Sequence, residues 1–284
     1  MSPVLGMLTL TLTLLSPTAA VMTPPDEITD VAADAPAAIR LFFDRQVEVF
    51  GVRVYATSEV ADGKLLHAAA ILAQYLDNDA DGRADNARVR RRLTAARAAM
   101  VMFVDPDQAD SFFEGLDDGD LDGIEVQDLY ADETHPDGAA TGVFDAALEE
   151  VLHLITHVGY ARAHKRQFAE ARGSALAKAM DRARGGYFEN VPTQYPDGAW
   201  YTYDDRTCDY SCQATEYIYW GLTSVLGAQS FPGRLDEIAH EWRLNTAAKV
   251  QATDRRLWRL LRKKRWKLPT VLPDGDYAAP GPSR

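Results

Sequence analysis

The sequence has little cysteine, little histidine and few basic residues. Its two cysteines, Cys208 and Cys212, sit close together in "CDYSC". A structural zinc site normally takes four ligands, and no second Cys pair exists to supply them. The pair is therefore read as a disulfide, whose small closed loop pins local geometry more than global stability. Basic residues number 30 against 42 acidic ones, for a formal net charge of −12. That excludes the basic footprint of a nucleic-acid binder and suits a protein that attracts cations. The chain has no Gly-rich phosphate loop, no nucleophile elbow and no internal repeat.

Long apolar runs are also scarce. The first twenty residues, "MSPVLGMLTLTLTLLSPTAA", carry an apolar core over Val4–Leu15 and small residues ending at Ala20. This is the pattern of a secretory signal, although no basic residue precedes Arg40. The run is shorter than the ~20 residues of a membrane span. The expectation is a secreted or periplasmic protein with no membrane span and no nucleic-acid partner. Residues 21–36 read as a Pro/Ala/Asp-rich lead-in and residues 273–284 as a Pro/Gly-rich tail.

What remains is 46% hydrophobic and 25% charged over 284 residues, a globular composition with enough chain for a real core. "GKLLHAAAILAQYL" has the composition of a strong helix, with His67 as a core histidine. "ARVRRRLTAARAAMVMF" reads as a second helix. A long acidic region then leads to a helix that starts near Asp145. "GSALAKAMDRAR", "QATEYIYWGLTSVLGAQ", "GRLDEIAHEWRLNT" and "ATDRRLWRLLRKKRWK" add further helices. The fold expected is mainly α, an irregular helical domain with long acidic and aromatic loops. Its helical regions are 37–140 and 141–272.

Two constellations carry chemistry. In "DNDADGRAD", Asp77, Asp79 and Asp81 alternate and Gly82 follows. Alternate carboxylates in a tight turn converge on one hard cation, and glycine permits the sharp bend. Asp85 adds a fourth carboxylate, and Arg83 offers a backbone carbonyl. With a helix on each side, this stretch resembles an EF-hand calcium loop. The resemblance implies calcium held by Asp77, Asp79, Asp81, Arg83 and Asp85. It departs at the twelfth position, where Arg88 replaces the bidentate glutamate. "DDGDLDG" repeats the spacing at Asp118, Asp120 and Asp122, with a poorer continuation.

The second constellation is "LEEVLHLITHVGY". At about 100° per residue, Glu149, Glu150, His153 and His157 share one side of an α-helix, and Leu148, Val151, Ile155 and Val158 share the other. Imidazoles at i and i+4 suit zinc, copper, iron or nickel. "HLITH" is similar to the zincin motif H-E-x-x-H in its His spacing. That resemblance implies a transition metal, zinc above all, on His153, His157 and a later carboxylate, best supplied by Glu216. Leu154 occupies the place of the zincin's general base, so Glu150 is the candidate for a relocated catalytic base. "EVLH" and "EIAH", ending at His153 and His240, also fit the paired E-x-x-H of ferritin-like di-iron bundles. The functional expectation is a calcium-binding protein with a second, transition-metal site, either a zincin-like metallohydrolase or an inactive relative. The alternative is a calcium-stabilised binding protein without catalysis. The aromatic stretch Tyr201–Asp205 either lines a cleft beside the His helix or covers the core. The basic run Arg255–Lys267 either meets an anionic partner or is the solvated side of a terminal helix.

Overall fold

A computed structural model describes residues 27–278. The proposed signal segment lies outside the described residues. The expectation of a mainly α fold is overturned: five strands form one mixed sheet, and the fold is α/β. The sheet order is β1 (Thr29–Asp30), β2 (Arg45–Val49), β3 (Val52–Ala56), β4 (Ala99–Phe103) and β5 (Val126–Tyr130). All five strands lie in the region read as helical over 37–140 or in the lead-in before it.

β2 and β3 form an antiparallel hairpin with Val49 opposite Val52. The two residues between, Phe50 and Gly51, both have positive φ (51° and 82°). This is the twist a two-residue hairpin requires, and Gly51 adopts it without steric cost. β3 pairs in parallel with β4, and β4 in parallel with β5. Parallel neighbours need a crossover. Helix α1 (Ala37–Phe42) precedes β2; helices α2 (Asp62–Leu76) and α3 (Ala87–Ala95) supply the first crossover, and α4 (Pro106–Glu114) with the acidic turn supplies the second.

"AMVMF" is β4, where the sequence reading extended a helix. The strand is buried along its whole length. Met100 and Met102 enter the larger core with Leu65, Leu72, Val151 and Ile155. Val101 and Phe103 face a second core with Ile39, Phe43, Tyr55 and Phe112. A strand covered on both faces shows no polar alternation, so hydropathy cannot separate it from a buried helix.

Two helices bear the functional residues. The His153 helix (Ala147–Leu154) follows β5, and the Glu216 helix (Tyr210–Leu226) lies beside it. The buried Asp145 prepares the first: its Oδ1 accepts from the Ala147 N–H, and its Oδ2 meets Nε2 of His67 at 2.7 Å. Tyr75 of α2 donates to the Leu148 carbonyl at 2.8 Å. The Glu216 helix starts at the Asp209 cap and the Cys208–Cys212 disulfide.

The His153 helix continues as a π-helix over Ile155–Tyr160. Thr156 Oγ1 donates to the carbonyls of Leu152 (2.9 Å) and His153 (3.3 Å). Those are the acceptors that a continuing α ladder would give to the Thr156 and His157 N–H groups, so the hydroxyl competes with α winding. Gly159 lets α3 come close to this segment: a Cβ there would lie 2.7 Å from Val89 Cγ1. Gly159→Val is therefore expected to cost about 1–3 kcal/mol by overpacking. Urea denaturation measures this, and an unchanged midpoint would refute the close-packing account.

Candidate metal centre

The π winding decides which residues meet. Wider winding rotates every side chain after Leu154 relative to an α-helix, and the two histidines part company. His157 stays half exposed, and its Nδ1 lies 2.6 Å from Oε2 of Glu170. Glu170 is buried and also accepts from Ser211 (3.0 Å) and Thr215 (2.8 Å) of the Glu216 helix. This contact holds His157 as a clamp between the two helices. The hydrogen bond to Glu170 raises its pKa, against the effect of burial.

His153 turns inward instead. Its ligand atom, with those of Glu149 and Glu216, forms a group whose members all lie within 4.8 Å of one another. Nε2 is 3.6 Å from Glu216 Oε2, and Nδ1 is 3.4 Å from Glu150 Oε2. His153 is buried, and its Nε2 has no hydrogen-bond partner. Buried polar nitrogens in native proteins are nearly always paired. Tyr219 stacks edge-on against the imidazole, with ring centroids 5.4 Å apart.

Of the expected transition-metal set, the fold joins His153 and Glu216, and it sends His157 to Glu170. Glu149 takes the vacated place, one turn before His153. The legible signal was "EEVLH", read forward from its first glutamate rather than from the second histidine. Glu150, the expected base, faces Nδ1 of His153 and accepts from Gln127 Nε2 of β5 at 2.7 Å. Glu237 of the E-x-x-H alternative pairs with Arg234 at 3.0 Å, away from this group.

The electrostatics are those of crowded carboxylates around one base. Burial pushes Glu149 and Glu216 above the ordinary carboxylate range, and His153 pulls both partly back. On His153 itself, burial acts downward, but Glu216, Glu150 and Glu149 outweigh it and raise the imidazole. Tyr203 beside Glu216 and Tyr219 beside Glu149 each act to lower the pKa of the neighbouring carboxyl, against burial. Tyr203 packs against the core with its phenol near Glu216, whereas Tyr201 is fully buried and donates to the Gln213 carbonyl. Burial, with the Asp204 and Glu216 charges, pushes Glu241 up to about 7. Glu241 forms a second, more exposed group with Asp204 and His240.

The aspartate loop follows α2 and folds around Asp77. Asp77 is fully buried, and its carboxylate accepts from the N–H groups of Asp81 (3.1 Å) and Gly82 (2.8 Å) and from the Tyr277 hydroxyl. Asp77, Asp79 and Asp85 form one potential cation group. Asp81 stays outside that group and accepts from the Arg83 N–H. Arg88, at the position of the missing glutamate, donates to the Ala163 carbonyl. The C-terminal segment crosses the loop: Asn78 Oδ1 accepts from Thr270 and Val271, and Gln74 Oε1 from Asp274 and Gly275. The second acidic run is an exposed turn between α4 and β5, and it forms no such group among the described residues.

No family model matches the chain, and no curated protein and no solved structure matches it either. The site is therefore argued from its own geometry.

Three carboxylates packed on one imidazole repel one another without a cation. Glu149→Gln is thus expected to leave metal-free protein as stable as the parent, or to raise its stability by about 1 kcal/mol. Thermal melts in chelator test this, and a loss above ~2 kcal/mol would mean that Glu149 serves packing instead.

Proposed function

We propose that this chain is an exported metal-binding protein whose Glu149–His153–Glu216 group holds one divalent transition metal. The supporting observation is the buried, unpartnered His153 Nε2 within ligand distance of two carboxylates. One imidazole nitrogen and two carboxylates suit zinc, and also manganese. Glu150 then acts on the other ring nitrogen, orienting the imidazole rather than serving as general base. Carboxylates that orient a ligand histidine in this way are common around metal sites.

The reaction class that accompanies such a centre is hydrolysis by metal-activated water. The phenols of Tyr203 and Tyr219 stand beside the two ligand carboxylates and favour their charged forms. The aspartate loop has a structural role in this reading. Calcium on Asp77, Asp79 and Asp85 would fix the turn after α2 and the C-terminal segment that crosses it. The Cys208–Cys212 disulfide is compatible with an oxidising compartment, and no helix of the described residues is long and apolar enough to cross a membrane.

Elemental analysis of protein dialysed against zinc or manganese should find about one transition metal per chain. Glu149→Ala and His153→Ala should abolish it, His157→Ala should retain it, and Glu150→Gln should weaken it about 10–100-fold. Equal occupancy in His153→Ala would sink the assignment. Loss in His157→Ala would return the site to the two-histidine arrangement.

Calcium is expected to raise the melting temperature of the parent chain and leave that of Asp79→Ala/Asp85→Ala unchanged. A calcium shift retained in that double variant would remove the loop from the proposal.

A further inference from the structure

The basic C-terminal run plays no part in the metal centre. Arg255, Arg256 and Arg259 lie on the helix Arg255–Leu261, which packs on the helix Ala175–Ala183, the bearer of Arg182, and on the helix Ala247–Thr253 before it. Arg182, Arg255, Arg256 and Arg259 line one concavity of about 440 Å³. All four are exposed. None of them has an ion pair or a side-chain hydrogen bond among the described residues, although the chain carries a net charge of −12. The neighbouring Asp254 does not neutralise them. It is buried, where it accepts from Trp200 and Tyr217 and caps Leu257.

A second concavity of about 510 Å³ adjoins the first and shares Ala252, Arg255 and Arg259 with it. Its wall adds Gln251 and Trp258. Arg262 lies over the Trp258 ring at 5.6 Å and fixes its orientation. The two concavities together offer guanidinium forks, an amide and an indole. Guanidinium matches the paired oxygens of sulfate and carboxylate groups. An indole wall takes the C–H face of a sugar ring by apolar contact, and an amide meets its hydroxyls.

We infer that this groove binds a short, linear, sulfated oligosaccharide. Two joined concavities exceed the size of a single inorganic anion. An anionic bilayer is a poorer occupant, because the groove is concave and its helices carry none of the exposed large apolar side chains, which are Leu41, Phe113, Val143, Tyr187 and Val271. A long duplex would meet the acidic remainder of the surface. The inference is independent of the metal centre.

The test uses the full chain with a heparin-derived hexasaccharide as probe, followed by calorimetry and tryptophan fluorescence at several salt concentrations. Binding is expected to weaken at least 10-fold in Arg255→Ala/Arg259→Ala. The slope of log K against log salt should fall by about one or more for the two charges removed. Trp258→Phe should weaken binding with the salt slope unchanged, a result that general charge attraction would not produce. Matched melting temperatures for the variants show that folding is retained. The inference is overturned by any of three results: no binding at low salt, equal affinity in the double arginine variant, or tighter binding to anionic vesicles or inorganic phosphate than to the hexasaccharide.

Discussion

The buried contact between His67 and Asp145 ties the sheet crossover to the site. His67 lies on α2, the helix that packs under β2 and β3. Asp145 opens the His153 helix. With Tyr75 donating to the Leu148 carbonyl, one face of α2 sets both the start and the depth of the helix that carries Glu149, Glu150 and His153. The end of α2 leads into the aspartate loop, and its last turn receives the C-terminal segment through Gln74. Gly275 completes the arrangement. At φ 82° it passes so close to His67 that a Cβ would lie 2.1 Å from Nδ1. The aspartate loop and the His153 helix are thus both anchored on α2.

Much of the candidate site was legible in the sequence, and the part that was not has a physical cause. His153 is legible from an amphipathic helix, a pattern that needs only regular α geometry, and Glu216 from the later carboxylate that the zincin resemblance implies. The partner histidine failed because i,i+4 convergence assumes that the α winding continues, and Thr156 diverts two carbonyls where it would have to. The threonine inside "HLITH", Thr156, is a local sign of this. Glu149 was visible as part of the polar stripe. It was passed over because the histidine spacing, being rarer, attracted the motif reading.

The sheet was missed for another reason. "RQVEVFGVRVYA" does alternate, and its turn dipeptide ends in glycine, so the hairpin carried a usable signal. "AMVMF" carried none, since both of its faces are covered. Appending it to the preceding helix produced a longer helix in place of a helix, a tight turn at Arg97 (φ 50°) and a strand. Once β4 is lost, so is the reason for a crossover, and the helices on each side look like neighbours in a helical domain. The parallel part of the sheet is hidden by that one segment, whereas the hairpin is not. The helices themselves stand where their caps put them, as Ser174, Asp209 and Thr246 show.

The distribution of charge separates a solvated surface from a built site. An aspartate on the exposed turn after α4 meets water at little cost. Glu149 and Glu216 are different, because burying a carboxylate costs free energy that hydrogen bonds and counter-charge must offset. Their nearby counter-charge is one imidazole, which also faces Glu150. The imidazole leaves a nitrogen unpaired between them. A histidine acting only as a counter-ion would direct a proton at one carboxylate within hydrogen-bond distance. His153 Nε2 instead stands 3.6 Å from Glu216, with Glu149 in the same group. That spacing is long for a hydrogen bond and suits three donors facing a common centre.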